Sequence, residues 1–500
     1  MKTLYVDGSI ALKTHGTGNG TIENDDNIDF LTSSVGGNLN ATAAASTITD
    51  ATGAVLTVEG TTTLTTSAND ATITLNNVNA SSQPVHKFAG ALTITTNDND
   101  GAVADVTIVA GSTAALDFAA STIDGDLIVT SSFLPVDSDS NGTISETESN
   151  GITDSGALTV GGTSSFATSG TNANIVLDTT TNVFEGAVAL STQGASGNVT
   201  LIQGASNNLR FATSGVGGNL TVTTGSASAV AQTGVLTVDG ATDITANGGD
   251  NNIFLNTQEN VLTGAVSLDG HNVRLINSKA LELGELASKA LVLTARGAVT
   301  QSASNKIKSD GSSTITAQNI AGNTNYDITL TNTSNDFYDD SNVNDALIII
   351  GQNVQLASGD QINMGLSTIT GNLTLTSSDT ITDIGIATVD GNLTATTDAN
   401  NGVIDLGSLA VDGTITLVTD GNGNATIVND NGIDFAESRV GGNLHATATL
   451  GSITDTDGSG VGPLTVTGTT TLVTSADDAT ITLDQGGHAF TGALLITTND

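Results

Sequence analysis

The fold class this sequence predicts is all-β, a parallel β-solenoid of short aliphatic and Thr strands with Gly/Asn/Asp turns. Three observations predict it: two-residue alternation of aliphatics with Thr, turn chemistry at short intervals, and internal repetition without a large core anchor. Leu-Thr-Val (56–58), Ile-Thr-Leu (73–75) and Leu-Thr-Ile (92–94) place aliphatics on one face of a strand and Thr on the other. β-Branched residues suit such a pleated, half-buried surface. The runs end in Asn-Gly, Asp-Gly, Gly-Gly or Asn-Asp, which turns select. Nothing sustains a helical period. The nearest segment, Lys279–Ala290 (KALELGELASKA), is interrupted by Gly284 and sits among β phrases.

Repetition is plainest between the two ends. Residues 18–50 (GNGTIENDDNIDFLTSSVGGNLNATAAASTITD) match 423–455 (GNATIVNDNGIDFAESRVGGNLHATATLGSITD). LTVEGTTTLTTSANDATITL (56–75) matches LTVTGTTTLVTSADDATITL (464–483), and HKFAGALTITTND (86–98) matches HAFTGALLITTND (488–500). The offset drifts between 402 and 408, so loops absorb small insertions between units. Weaker copies lie between: VGGNL at 35–39, 216–220 and 440–444, and GNLT from Gly218, Gly371 and Gly391. Strands near Val188, Val199, Leu209 and Leu220 are about 10–11 residues apart, which predicts coils of roughly 20 residues. One continuous solenoid over 1–500 is expected, with an acidic loop inserted at 135–151. The last residue, Asp500, aligns with Asp98, where the first copy runs on, so a piece of a longer polypeptide is expected.

Composition narrows the choice. A string of sandwich domains needs large aromatic anchors, often Trp. This chain has no Trp and 3% aromatic residues, whereas a solenoid core is a stack of aliphatic rungs. Thr is roughly one residue in six, far above ordinary usage. With no Cys, a disulfide scaffold and a thiolate metal site are both excluded. The 11 basic and 51 acidic residues give a net charge of −40, which argues against nucleic acid as a partner. No apolar run approaches a membrane span.

Residues 264–302 (GAVSLDGHNVRLINSKALELGELASKALVLTARGAVTQS) resemble repeat phrases of very large bacterial surface proteins. These are the filamentous-haemagglutinin-like and autotransporter-like adhesins, β-strand-repeat proteins. DSGALTVGGTSSF (154–166) and VGGNLTVTT (216–224) have the same cadence. The resemblance covers most of the chain and brings no catalytic signature. It implies a parallel β-helix, export, an extracellular or cell-surface location, and an adhesive or envelope role. Partners would be a host or neighbouring cell surface, glycans or other envelope proteins.

One local motif carries chemistry of its own. Residues 137–148 read DSDSNGTISETE. Asp137, Asp139, Asn141, Thr143, Ser145 and Glu148 occupy positions 1, 3, 5, 7, 9 and 12 of an EF-hand-type loop, with Gly142 at 6. Alternating oxygen ligands converge on a hard cation, Gly permits the sharp turn, and the final Glu binds bidentately. Ile144 takes the place of the usual apolar plug. Pro135 before the loop and Gly151 after it predict an inserted loop without flanking helices, and the cofactor predicted is Ca2+.

Other residues read as structural. His86 and His488 occupy one repeat position, which predicts a structural or surface role, and none of the five His is spaced as a ligand pair. Asp before Gly, as at Asp239, Asp269, Asp390 and Asp412, is turn chemistry. There is no G-x-S-x-G elbow and no G-K-[ST]. The reading is therefore a non-enzymatic structural or adhesive stalk. A surface-layer or matrix protein is the alternative, and less favoured are a β-helical polysaccharide-active enzyme and an ice-binding Thr face. Lys279, Lys289, Arg296, Lys306 and Lys308 form the one mild basic cluster where a ligand groove would be sought. Small-angle scattering tests the continuous solenoid. The expected curve is that of one extended particle, and a string of separate globules would refute it.

Overall fold

The structure is a computed structural model. It describes residues 4–98, 103–111, 114–137, 143–145, 147–204, 207–338, 342, 344–398, 401–455 and 462–499. The chain divides into two compact units, Met1–Gly264 and Ala265–Asp500, and each is described by itself. In both, short strands stack in parallel on the strand one turn earlier, as the alternation predicts; a 3-10 turn at Thr147–Ser149 is the one helical element among the described residues. Lys279–Ala290 is indeed strand rather than helix: Leu281–Ser288 alternates core-facing and solvent-facing residues on either side of Gly284. Turn length varies more than the predicted 20 residues. Stacked partners are 17 residues apart at Leu347 and Met364 and 37 apart at Leu127 and Ser164, because loops take up the difference.

The core is a set of inward rows. Ile22, Ala41, Leu64 and Ile94 stack in register and are at most 3% exposed. The outward partners on the same strands form Thr rows such as Thr42, Thr65, Thr95 and Thr122. In-register Thr therefore forms without a fixed sequence spacing, since register is set turn by turn.

Each turn has two unlike halves. One half is a single strand, such as Leu39–Ala43. The other is a split pair of short strands, such as Ile48–Asp50 and Leu56–Val58. The stretch 20–95 holds four single strands and three split pairs in strict alternation, that is, three and a half turns. A single strand, Val106–Ala110, then follows the single strand Leu92–Thr95 directly. Val106–Ala110 stacks on the previous split pair through Val106↔Ile73. The next split pair, Leu116–Phe118 with Ser121–Ile123, stacks on Leu92–Thr95 through Leu92↔Phe118 and Thr95↔Thr122. The split half has changed sides. The same swap occurs between Ala187–Gln193 and Val199–Gln203 in the first unit. In the second it occurs between Leu347–Gly351 and Val354–Ser358, and between Thr414–Val418 and Ala425–Asn429.

A swap creates a hydrogen-bonding problem. A straight strand donates at regular intervals, and the break in the split pair above it cannot accept everywhere. A buried N–H left unpaired is costly. A Ser hydroxyl at the break fills the gap at these four swaps. At a fifth, between Val266–Asp269 and Asn272–Asn277, the stacked half is the strand Leu281–Ser288, and Glu285 N donates down to Ser267 Oγ at 3.1 Å instead. Ser121 Oγ accepts from Ile94 N at 3.0 Å and donates to Ala119 O. Ser214 does so for Leu190 N, Ser367 for Ile349 N and Ser438 for Leu417 N, at 3.0–3.1 Å. Each donates to the carbonyl two residues before it. The sequence signature is [F/M]-x-x-S-x-[V/I], at Phe118–Ile123, Phe211–Val216, Met364–Ile369 and Phe435–Val440.

The corner before many single strands is closed by a ladder of Asn and Asp. Asn353 Oδ1 accepts from Asn372 N, Asn372 Oδ1 from Asn392 N, and Asn392 Oδ1 from Thr414 N, at 2.9–3.1 Å. This side chain explains the Gly of G-N-L. A Cβ on Gly391 would lie 2.6 Å from Asn372 Oδ1, so the ladder leaves room for hydrogen alone.

Ser367→Ala should expose the device. The variant leaves Ile349 N–H unpaired in the core, at a cost of about 1–3 kcal/mol. Amide exchange at Ile349 should accelerate with little change at the distant Leu472. Unchanged protection at Ile349 would dismiss the role given to the hydroxyl.

Candidate functional site

The acidic loop follows the single strand Leu127–Ser131 of the first unit. Asp139 and Asn141 of the predicted ligand set, with Gly142, lie outside the described residues. Of the rest, Glu148 sits in the 3-10 turn Thr147–Ser149, and its Oε2 accepts from Ser145 N at 2.9 Å and from Ser145 Oγ at 2.8 Å. Two of the predicted ligands thus meet directly. Ile144 is 50% exposed, so the expected apolar plug is not packed. No cluster of three or more His, Cys, Asp or Glu poised for a metal occurs among the described residues.

Part of the basic cluster is engaged within the coil and part is exposed. Lys308 Nζ lies 2.9 Å from Asp310 Oδ1 and 3.9 Å from Asp336 Oδ2, and Arg296 reaches Gln318 O. Lys279, Lys289 and Lys306 are exposed. A cleft of about 380 Å3 lies elsewhere, in the first unit, lined by Glu185, Asn207, Asn208 and Arg210.

A different polar constellation recurs through the chain. In each stretch the first split pair carries a buried apolar side chain: Phe30, Phe118, Phe211, Leu283, Met364 or Phe435. Directly above it in register stands a polar residue: Asp50, Asp154, Gln232, Gln301, Asp383 or Asp455. A carboxylate or amide has thus been placed in an apolar row, and burying it is tolerable only if it is hydrogen-bonded. The partner comes from the third split pair. His86, Asn182, Asn260 and Asn335 are 0% exposed, and His488 is nearly buried.

Each partner does two things. It bonds the polar residue below, and it accepts the first N–H of the strand that follows that residue. His86 Nε2 is 2.8 Å from Asp50 Oδ2, and His86 Nδ1 accepts from Leu56 N at 3.0 Å. His488 repeats both distances with Asp455 and Leu464. Asn182 Nδ2 donates to Asp154 Oδ2 at 2.5 Å while Asn182 Oδ1 accepts from Leu158 N. Asn260 and Gln232 exchange two amide hydrogen bonds, and Asn260 Oδ1 accepts from Leu236 N. Asn335 and Gln301 do the same, with Ile307 N as donor. Asp383 is closed by backbone alone, from Gly407 N and Ser408 N.

The carboxyls differ accordingly. Burial pushes Asp154 and Asp383 up, and the neutral donors around them do not fully offset it. At Asp50 burial also acts upward. The hydrogen bond of His86 and the N–H groups of Asn77 and Asn76 outweigh it and hold the carboxyl below its usual value. Asp455 is held low in the same way by Gln485 N, Asp484 N and His488. The structural role predicted for His86 and His488 is thus the observed one. The acids below them went unnoticed, although the recurrence of I-T-D or V-x-Q one turn after the Phe was a signal.

These features define a β-solenoid repeat protein whose recurring polar residues close its own backbone. The chain belongs to the family described as repeats of unknown function (DUF5649), whose model matches residues 17–95, 136–191, 196–269, 270–344, 351–418 and 422–497. Several of these boundaries fall at the side swaps: 351–418 runs from just before Val354–Ser358 to the end of Thr414–Val418. No curated protein and no solved structure matches the chain. Among the described residues, no helix is long and apolar enough to cross a membrane.

Replacing Asn260 by Leu should destabilise the chain by about 1–3 kcal/mol for each group left unpaired, Gln232 and Leu236 N–H. Adding Gln232→Leu should recover part of the loss, because the row over Phe211 becomes apolar. Urea unfolding of the single and double variants measures this. A double variant as damaged as the sum of both singles would contradict the pairing.

Proposed function

We propose that this chain is a non-catalytic structural and adhesive repeat region of an exported bacterial surface protein. One observation carries the reading: the polar residues that recur from stretch to stretch are spent on backbone closure. Ser121, Asn372, Asn182 and His86 each accept a main-chain N–H of a neighbouring turn. A chain that invests its recurring pattern in its own coil is suited to spacing and display. The net charge of −40 favours a hydrated, non-aggregating surface and supports the second reading, a surface-layer or matrix protein. Host or neighbouring cell surfaces, glycans and envelope proteins are the partners this role implies. Binding of the purified chain to glycan arrays and to intact cells tests adhesion. Retention on either supports it, and absence from both favours the matrix reading. Protease shaving of intact producing cells tests surface location.

The same reading gives the loop 137–148 a calcium ion. Asp137, Asp139, Asn141, Thr143, Ser145 and Glu148 would hold it, and Glu148 would exchange its bond to Ser145 for the ion. Lone extracellular loops of this type bind weakly, with Kd on the order of 10⁻⁴–10⁻³ M. Calcium should raise the melting temperature of the chain, and the pair Asp137→Asn with Glu148→Gln should abolish the part that magnesium does not reproduce. A calcium effect that is the same in the double variant would assign it to general screening of the acidic surface.

A further inference from the structure

The five buried polar pairs are equivalent in place but not in chemistry. His fills the partner position in the first and last stretches, and Asn fills it at 182, 260 and 335. All five accept a main-chain N–H. An amide oxygen accepts at any ordinary pH. An imidazole nitrogen accepts only while it is unprotonated. In the observed geometry Nδ1 of His86 faces Leu56 N–H at 3.0 Å, so the ring proton sits on Nε2 and is donated to Asp50. A second proton on Nδ1 would set two donors against each other at that distance.

We propose that His86 and His488 make the first and last stretches acid-releasable latches, while the Asn-based stretches stay closed. Protonation breaks the bond to Leu56 or Leu464 and strengthens the pairing with Asp50 or Asp455. The ring stays with its acid, and the strand that the ring had held is released. The released strands are Leu56–Val58 and Leu464–Val466. What stays behind with the ring is the connection that ends in the histidine. In the first stretch this is the loop from Asn76 to Pro84, pinned through Asp50 by Asn76 N and Asn77 N. In the last it is the turn through Asp484 and Gln485, pinned by Asp455.

The surroundings leave the ring little other choice. His86 is 0% exposed and Asp50 is 3% exposed at the side chain. Its other neighbours include the Phe88 ring, 6.5 Å away, and Ala110, bridged to it in the next turn. Lys87 beside it points to solvent. Around His488 stand Asp455, the backbone of Asp484 and Gln485, and the Phe490 ring at 6.1 Å. Asp50 and Asp455 are the charged groups recorded against the two rings among the described residues.

The test is amide hydrogen exchange on the full chain, corrected for intrinsic rates, at about pH 8 and about pH 5, which bracket the ordinary imidazole range. Protection at Leu56 and Leu464 should fall about tenfold in acid, the scale of one lost hydrogen bond. Leu158, Leu236 and Ile307 should change less than about twofold, having lost no bond. His86→Asn and His488→Asn, made separately, copy the natural Asn182–Asp154 pair. Each should remove the acid response at its own latch and leave the other as an internal reference. Equal pH response at Leu56 and Leu158 in the unmodified chain overturns the proposal, whether or not the variants fold. So does a response at Leu56 that survives in His86→Asn.

Discussion

Every backbone donor in a parallel coil has to find its acceptor one turn away, and the rest of this structure follows from that requirement. A parallel sheet gives no hairpin in which neighbouring residues can satisfy each other. Along straight segments the aliphatic rows keep register and pairing is automatic. At corners and strand breaks it is not. Those are the places where Ser, Asn, Asp, Gln and His appear inside an otherwise aliphatic chain. Many of these polar residues are a consequence of geometry: Ser121, Asn372, Asn182 and His86 each stand where a main-chain N–H would be stranded.

The half-integral repeat follows from the same bookkeeping. Four single strands and three split pairs make three and a half turns, so each stretch begins on the side opposite to the last. A whole number of turns would place every split pair on the same side and would need no serine at a swap. Here four of the swaps are marked by a buried aromatic or Met, two linking residues and the Ser that accepts from the strand below; at the one after Val266–Asp269, Leu283 and Leu286 take those places. One turn later the apolar row is interrupted by Asp or Gln, and one turn after that its partner arrives. The family repeat is thus a cycle of three distinct turns, each with its own polar device.

Electrostatics act at two scales. Most of the −40 charge is at turns and outward faces, where salt screens it within a Debye length of about 8–10 Å. A smaller set of acids is inside. Asp50 and Asp455 have a histidine donor and are held low, whereas Asp154 and Asp383 have amide or backbone donors and are pushed up. The signs of their pH dependence are opposite. The first pair contributes stability above the unfolded carboxylate value of about 3.9, lost as pH falls through the lower folded value. The second pair stabilises at low pH and loses that contribution as pH rises through the raised folded value.

Fold class was legible from the sequence because the two-residue alternation and the turn residues are local: Leu-Thr-Val, Ile-Thr-Leu and G-N-L carry their strand and turn preferences wherever they stand. Repetition was legible because equivalent positions recur, and so was the structural place of His86 and His488. The calcium-type spacing of 137–148 is likewise a property of one short segment. Tertiary structure decided the rest. That turns range from 17 to 37 residues, that the split half changes sides, and that Ser367 serves Ile349 all depend on which strand lies beneath which. In the sequence Asp50 is only the last residue of an Ile-Thr-Asp phrase. Only stacking on Phe30 and contact with His86, thirty-six residues on, show it to be an inward acid. Local patterns determine what each segment becomes; the polar pairs join segments a turn or more apart, and that distance is absent from the sequence until the chain has coiled.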